Sequence, residues 1–203
     1  KLKYDTADHF AKKVASYAIT HHVDAVVTYD DCSPLLFEIL KNRAPQILRI
    51  LDVSAANPLY MRRIYDKDLL MTPAFANRLK NEMSRCWNPV IMNRAEREIK
   101  ASQKFLVPSK FVSTSLKYSG AEESQMLYCP YGVDVSQFSQ KKYDGVDKMK
   151  YRPLRFIYVG GVKELKGISY LLEAFQNISK KEAELTVVGA FNPQDKDIQP
   201  YVN

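Results

Sequence analysis

The sequence predicts an α/β protein of two domains, each built on a mostly parallel sheet. Three observations predict it. Short apolar, β-branched runs alternate with helix-period stretches along the chain, the pattern of parallel sheets flanked by helices. Glycine is confined to one part: all seven glycines among the 203 residues lie at Gly120 or beyond. The net positive charge is confined to the other: residues 1–119 carry 19 Lys+Arg against 12 Asp+Glu, while residues 120–203 carry 11 of each. Stretches of such different chemistry read as separate domains, residues 1–138 and 153–203. The polar, aperiodic segment 139–152 (SQKKYDGVDKMKYR) is the expected linker. The second domain shows only two strands and one helix. Three elements cannot cover both faces of a doubly wound sheet, so the domains are expected to be incomplete in this chain.

Composition narrows the class. Hydrophobic residues make up 46% and aromatics 11%, which is globular rather than disordered. No apolar run approaches the ~20 residues of a membrane span. Cys32, Cys86 and Cys129 are far apart, odd in number and without metal-ligand spacing, so they read as reduced cytoplasmic thiols.

The elements follow in order. Residues 5–20 read as a helix, with Phe10, Val14, Tyr17 and Ala18 on one face. His21 and His22 close it as surface or cap residues. Val23 to Tyr29 is a buried strand, and Ser33-Pro34 then opens a helix over 34–42. Gln46 to Leu51 is a second strand. Residues 53–73 lack periodicity and read as a loop with at most one helical turn. Helices follow over 74–84 and 89–102, the latter with Val90, Ile91, Ala95, Ile99 and Ser102 on one side. Phe105 to Val107 is a strand; Ser109 caps helix 110–118, which Gly120 ends. Met126 to Cys129 is a strand that runs into the corner Tyr131-Gly132-Val133-Asp134. There Gly132 is expected to supply a positive φ and Asp134 to cap the next turn. Leu154 to Val159 is a strand, 167–179 a helix and Leu185 to Val188 a strand.

Ligands of parallel sheets sit beyond the carboxyl ends of the strands. The turns there nominate Asp30, Asp31, Asp52 and Ser109 in the first domain. In the second they nominate Gly160-Gly161-Val162 and Lys166-Gly167. The latter group suits a diphosphate. Two glycines let the backbone approach a bulky anion, a helix begins near Gly167 with unpaired N–H groups, and Lys166 adds a full positive charge. A plain strand–turn–helix unit with a solvated lysine fits the same residues. Asp31 and Asp52 likewise fit simple turn formation.

The order of PYGVDVSQF at 130–138, a charged linker, FIYVGGVKELKGISYLLEAF at 156–175 and LTVVGA at 185–190 resembles the family 4 retaining glycosyltransferases of the GT-B fold. EREIKASQKFLVPSKFVSTSLKYSG at 96–120 is similar to the end of that family's N-terminal domain. The resemblance is specific over about 94–190 and architectural over 1–93. It implies two Rossmann-like domains, with the acceptor side in 1–138 and the nucleotide-sugar side beginning at 153. It also implies transfer of a sugar from a nucleoside-diphosphate sugar to a glycan or lipid-linked acceptor, with retained configuration and no metal or other cofactor. Lys166 would be the catalytic cation on the leaving diphosphate, with Gly160, Gly161, Val162 and Gly167 around the donor. Asp30, Asp31, Asp52 and Ser109 would face the acceptor. The sequence departs from the family at two points: Gly161 stands where an arginine is common, and Tyr131 where an asparagine is. The family's Glu-x₇-Glu pair is absent, since Glu164, Glu173 and Glu182 are nine apart. The resemblance therefore implies a middle slice of an enzyme, inactive by itself, with the pair beyond residue 203 and a glycine-rich loop before residue 1.

The basic stretch 62–104 holds ten Lys+Arg against five acids. It reads as a solvated helical surface braced by Arg94/Glu98 and Glu96/Lys100 pairs, as a peripheral contact with an anionic membrane on the cytoplasmic face, or as a site for an anionic acceptor such as a lipid diphosphate. Three other functions stay open: a non-catalytic nucleotide-binding module, a sugar-nucleotide epimerase, and, least supported, a nucleic-acid binder using the basic half. No hydrolase triad signature is present.

Overall fold

The computed structural model describes residues 2–31, 34–140, 152–192 and 194–201. Cys32, the expected Ser33 cap and most of the expected 139–152 linker lie outside the described residues. The chain forms two compact units. One is Lys1–Asp66 with Ser84–Val133; the other is Lys67–Met83 with Asp134–Asn203.

The first unit holds a four-stranded parallel sheet, ordered as in the sequence: β1 (Ala25–Tyr29), β2 (Leu48–Asp52), β3 (Lys104–Val107) and β4 (Met126–Tyr128). β1 pairs with β2 from Ala25↔Leu48 to Tyr29↔Asp52, and β3 with β4 from Phe105↔Met126 to Val107↔Tyr128. Helices α1 (Leu2–Thr20), α2 (Pro34–Arg43), α3 (Pro58–Met71), α5 (Pro89–Ala101) and α6 (Lys110–Tyr118) connect or flank the strands; α4 (Ala76–Glu82), between α3 and α5 in the sequence, belongs to the second unit, as does the end of α3. Phe37, Leu40, Ile47, Leu51, Phe105, Val107 and Leu116 form the centre of the core. Arg49 is buried on β2. Its Nε donates to the Ala101 carbonyl at 2.8 Å and its Nη1 to that of Ile47 at 3.2 Å. Burial lowers its pKa, and the carbonyl oxygens replace the water it loses.

Several helix faces differ from the sequence expectation. On α1 the buried stripe is Ala11, Ala15 and Ala18, while Phe10 and Tyr17 are 67% and 62% exposed. Small side chains let α1 approach α2 closely, and hydrophobicity alone points to the wrong residues. On α5, Val90 is exposed, whereas Arg94, Ala95, Glu98 and Ile99 are buried. Arg94 and Glu98 do not pair along the helix as expected. Arg94 instead meets Asp8 at 3.2 Å, and Glu98 accepts from the Asp31 amide at 3.1 Å. Glu96 and Lys100 do pair, at 2.6 Å.

The expected loop over 53–73 is largely helix α3. The Asn57 side chain accepts from the Leu59 amide at 2.9 Å, and Pro58 follows at the first helical position. Tyr60 then packs edge-on against Phe111 and Tyr118 of α6, at 5.8 and 5.3 Å between centroids. The apolar periodicity of α3 is carried by tyrosines among charges, and their partners lie some fifty residues away. The local turns follow their sequence signals more closely. Ser109 caps α6 through Val112 N–H at 3.2 Å, and Gly120 (φ +98°) ends it, with Ala121 N–H returning to Leu116 at 3.1 Å. Asp134 accepts from Ser136 N–H at 2.9 Å. Gly132 differs from expectation: it is not among the positive-φ glycines, since the corner turns without a left-handed residue there.

The second unit pairs β5 (Leu154–Val159) with β6 (Ala183–Val188) in parallel over six residue pairs, Leu154↔Ala183 to Val159↔Val188. Helix α7 (Ile168–Gln176) follows β5. Val162, Ile168, Leu172 and Ile198 form its buried cluster, and Phe75 joins them. Phe75 sits in a 3-10 turn, Pro73–Phe75, so residues 67–83 pack within this unit although the sequence reading counts them in 1–138. One physical reason is this buried aromatic ring, and nothing local in the sequence says where it docks.

Phe37 is completely buried, so truncation leaves a cavity as well as losing transfer energy. Phe37→Ala is expected to destabilise the first unit by about 3–5 kcal/mol, read from urea unfolding followed by circular dichroism.

Candidate functional site

In the second unit the strand ends are held closely. Gly160 N–H donates to the Val188 carbonyl at 2.9 Å, and Val162 N–H to that of Ala190 at 3.1 Å. A β-carbon at Gly189 would lie 1.7 Å from the Gly160 oxygen, so residue 189 accommodates glycine alone. The chain then makes a 3-10 turn, Glu164–Lys166, and enters α7 through Gly167 in the left-handed conformation (φ +70°, ψ 30°). The Lys166 and Gly167 amides are bonded within this turn, to the Lys163 carbonyl at 2.9 Å and the Glu164 carbonyl at 2.8 Å. Helix geometry leaves the N–H groups of Ile168, Ser169 and Tyr170 outside the α7 ladder, at the positive end of its dipole.

Lys163 and Lys166 are both exposed. An open cleft of about 570 Å³ lies beside the turn, lined by Asn77, Asn81, Val162, Lys163, Phe191, Asn192, Asp195 and Asp197. Of the residues nominated from sequence, Val162 lines this cleft. Gly160, Gly161, Lys166 and Gly167 belong to the adjoining loop rather than to the lining.

Arg78 of α4 and Glu82 also face the cleft, and sequence reasoning missed both. The Arg78 guanidinium donates to the Val162 carbonyl and to Asp195. Its Nε lies 3.3 Å from Glu164 and 3.4 Å from Glu82. Burial pushes the Glu164 carboxyl above its usual range, and the Ser169 hydroxyl and Arg78 oppose that shift. The one sequence signal was the polar pair Asn77 and Asn81 at helical spacing, which presents two carboxamides on one face.

In the first unit the nominated aspartates gather at the ends of β1 and β2. Asp30 N–H donates to the Asp52 carbonyl at 3.3 Å. Asp31 is left-handed (φ +70°), gives its amide to Glu98 and pairs with Arg85 at 2.9 Å. Asp30, Asp31, Arg85, Asn57 and Glu98 line a small cavity of about 20 Å³, roughly the size of one water molecule. Burial raises the Asp30 pKa, Asp31 and Asp52 raise it further, and Arg85 opposes them. Asp52 does not line the cavity. Ser109 lies apart from it and spends its oxygen on the α6 cap. His21 stacks on Tyr17 at 3.8 Å, the helix-end role its position suggested.

Much of the basic stretch 62–104 is neutralised within its own unit. Arg62 meets Asp66 at 3.7 Å, Arg85 meets Asp31, and Arg97 forks onto Glu38 at 2.6 and 2.7 Å. No helix among the described residues is long and apolar enough to cross a membrane.

No protein-family model and no curated protein matches the chain. Fourteen chains of solved structure do. One is the apo form of a lipopolysaccharide outer core galactosyltransferase, WaaB, at 14% identity and a TM-score of 0.59. The match covers 99% of this chain and 46% of that one, so this chain spans about half its length. At that identity the likeness establishes a shared fold: Rossmann-like α/β units with parallel sheets, of the GT-B type.

A group with a raised acid pKa binds its proton more tightly folded than unfolded. It therefore stabilises the fold at low pH and loses that contribution as pH rises above the ordinary value of 3.8. Asp30→Asn is expected to raise the melting temperature at neutral pH and to flatten this dependence. Thermal melts from acid to neutral pH check it; a lower neutral melting temperature contradicts it.

Proposed function

We propose that this chain is part of a glycosyltransferase that takes a nucleoside-diphosphate sugar as donor substrate, with no cofactor or metal. The observation that carries the reading is the β5–α7 connection: a glycine turn, an exposed Lys166 and a left-handed Gly167 opening a helix, in a fold shared with a galactosyltransferase. The exposed Lys166, beside the positive end of α7, would bind the diphosphate, and the adjoining cleft, lined by Asn77, Asn81 and Asn192, offers the hydrogen-bonding side chains a sugar requires.

The chemistry follows from charge. As the glycosidic bond breaks, negative charge grows on the leaving diphosphate. Lys166 and the α7 dipole would stabilise that charge where it develops, which lowers the barrier without lowering the ground state equally. Transfer with retained configuration to a glycan or lipid-linked acceptor is the outcome the family resemblance supports. Asp30 and Asp31 are the acceptor-facing groups of this reading, since their carboxylates accept hydrogen bonds from sugar hydroxyls. Asp52 and Ser109 contribute through the shape of the strand ends. Peripheral attachment to the cytoplasmic face of a membrane, through exposed cations of 62–104 such as Lys67 and Lys80, completes the proposal.

The test is kinetic. Lys166→Ala in the intact protein is expected to lower kcat by about 10²–10³-fold with a smaller change in KM for the donor. Nucleotide-sugar hydrolysis or transfer is the assay. An unchanged kcat, or calorimetry showing no affinity for any nucleoside diphosphate, sinks the reading.

A further inference from the structure

We infer that Arg78 is a positioning residue for the diphosphate loop: it ties the loop backbone to α4 and cancels carboxylate charge that would otherwise repel the donor. The inference rests on the donor reading above and adds a residue that lies 84 positions from the carbonyl it holds.

Three carboxylates converge on one guanidinium. Glu82, Glu164 and Asp195 all lie within salt-bridge distance of Arg78. The Arg78 side chain is only 10% exposed and that of Glu164 only 4%. Charges this shielded from water and salt act on their neighbours strongly. With Arg78 present, the four groups carry a formal charge of −2 when all are ionised, and without it −3. That excess stands beside the turn that would receive a diphosphate, itself an anion.

Arg78 also acts on the backbone. It donates to the Val162 carbonyl, two residues past the Gly160 turn, while Glu82 on the next turn of α4 accepts from Leu165 N–H at 3.3 Å. One helix thus holds both arms of the 160–167 loop. The planar, multi-donor fork of arginine suits this task, because a carbonyl and several carboxylates are met in different directions. Lysine supplies the charge without the fork. The arrangement is tight but not saturated: Arg78 Nε and Glu164 Oε1 are buried at 3.3 Å without a hydrogen bond between them.

The experiment uses the intact protein and titrates UDP, GDP, ADP and dTDP by calorimetry. Those that bind the wild type are carried to the variants. Arg78→Met is expected to weaken binding about tenfold or more, from the extra negative charge left beside the loop and the release of the Val162 carbonyl. Arg78→Lys is expected to retain most of the affinity. Adding Asp195→Asn to Arg78→Met is expected to restore affinity, which a purely architectural arginine would not allow. Equal affinity of wild type and Arg78→Met, with unchanged thermal melts, overturns the inference. So does a double variant no better than the single one. Should Arg78→Met fail to fold, Asp195→Asn alone decides: tighter binding supports the inference, unchanged or weaker binding overturns it. A wild type that binds none of the four sinks the donor reading itself, a distinct result.

Discussion

Where β5 and β6 end, the Gly160 carbonyl occupies the space that a side chain at residue 189 would need. The two strands can stay in register to their last pair, Val159↔Val188, because neither neighbour carries a β-carbon into that gap. The course of the 160–167 loop starts from this approach. The loop leaves the sheet at a set point, turns through Glu164–Lys166 and delivers Gly167 to the start of α7. The first unit shows the same constraint in another form. Its parallel strands finish together at Tyr29 and Asp52, so Asp30 and Asp31 emerge at one edge. Parallel pairing concentrates chemistry at the carboxyl ends of strands, and both candidate sites lie there.

Charge is managed locally in each unit. Arg97 answers Glu38, Arg85 answers Asp31, and Arg78 answers three carboxylates at once. These pairs leave the net charge of +7 unchanged, but they fix where its paired cations lie. Arginine recurs at the crowded positions because its fork spreads one charge over several acceptors. The exposed lysines, Lys163 and Lys166 among them, remain on the solvent side of the 160–167 loop.

Legibility followed distance along the chain. The Ser109 cap, the Gly120 helix end and the Asp134 turn each join groups two to five residues apart, and each was readable. Helix α3 was not, because its stabilising rings, Phe111 and Tyr118, lie far off in sequence. The buried alanines of α1 were hidden for a different reason: close helix approach rewards small residues, while a hydrophobic count favours Phe10 and Tyr17. For the site, the glycine turn and Lys166 could be read as a candidate loop, whereas Asn77, Arg78, Glu82 and Asp195 could not be tied to it.

The sequence alone determined the alternation of helix and strand, the parallel α/β class, the capped helix ends and the glycine-containing turn before α7. These are set by periodicity and by short-range backbone geometry, which neighbouring residues control. Only the tertiary structure decided which face of each helix is buried, that residues 67–83 pack with the second unit, and that Arg78 meets the 160–167 loop. Those outcomes depend on burying one ring, Phe75, and on neutralising carboxylates from three separate segments. Such long-range energies exist only once the chain has folded.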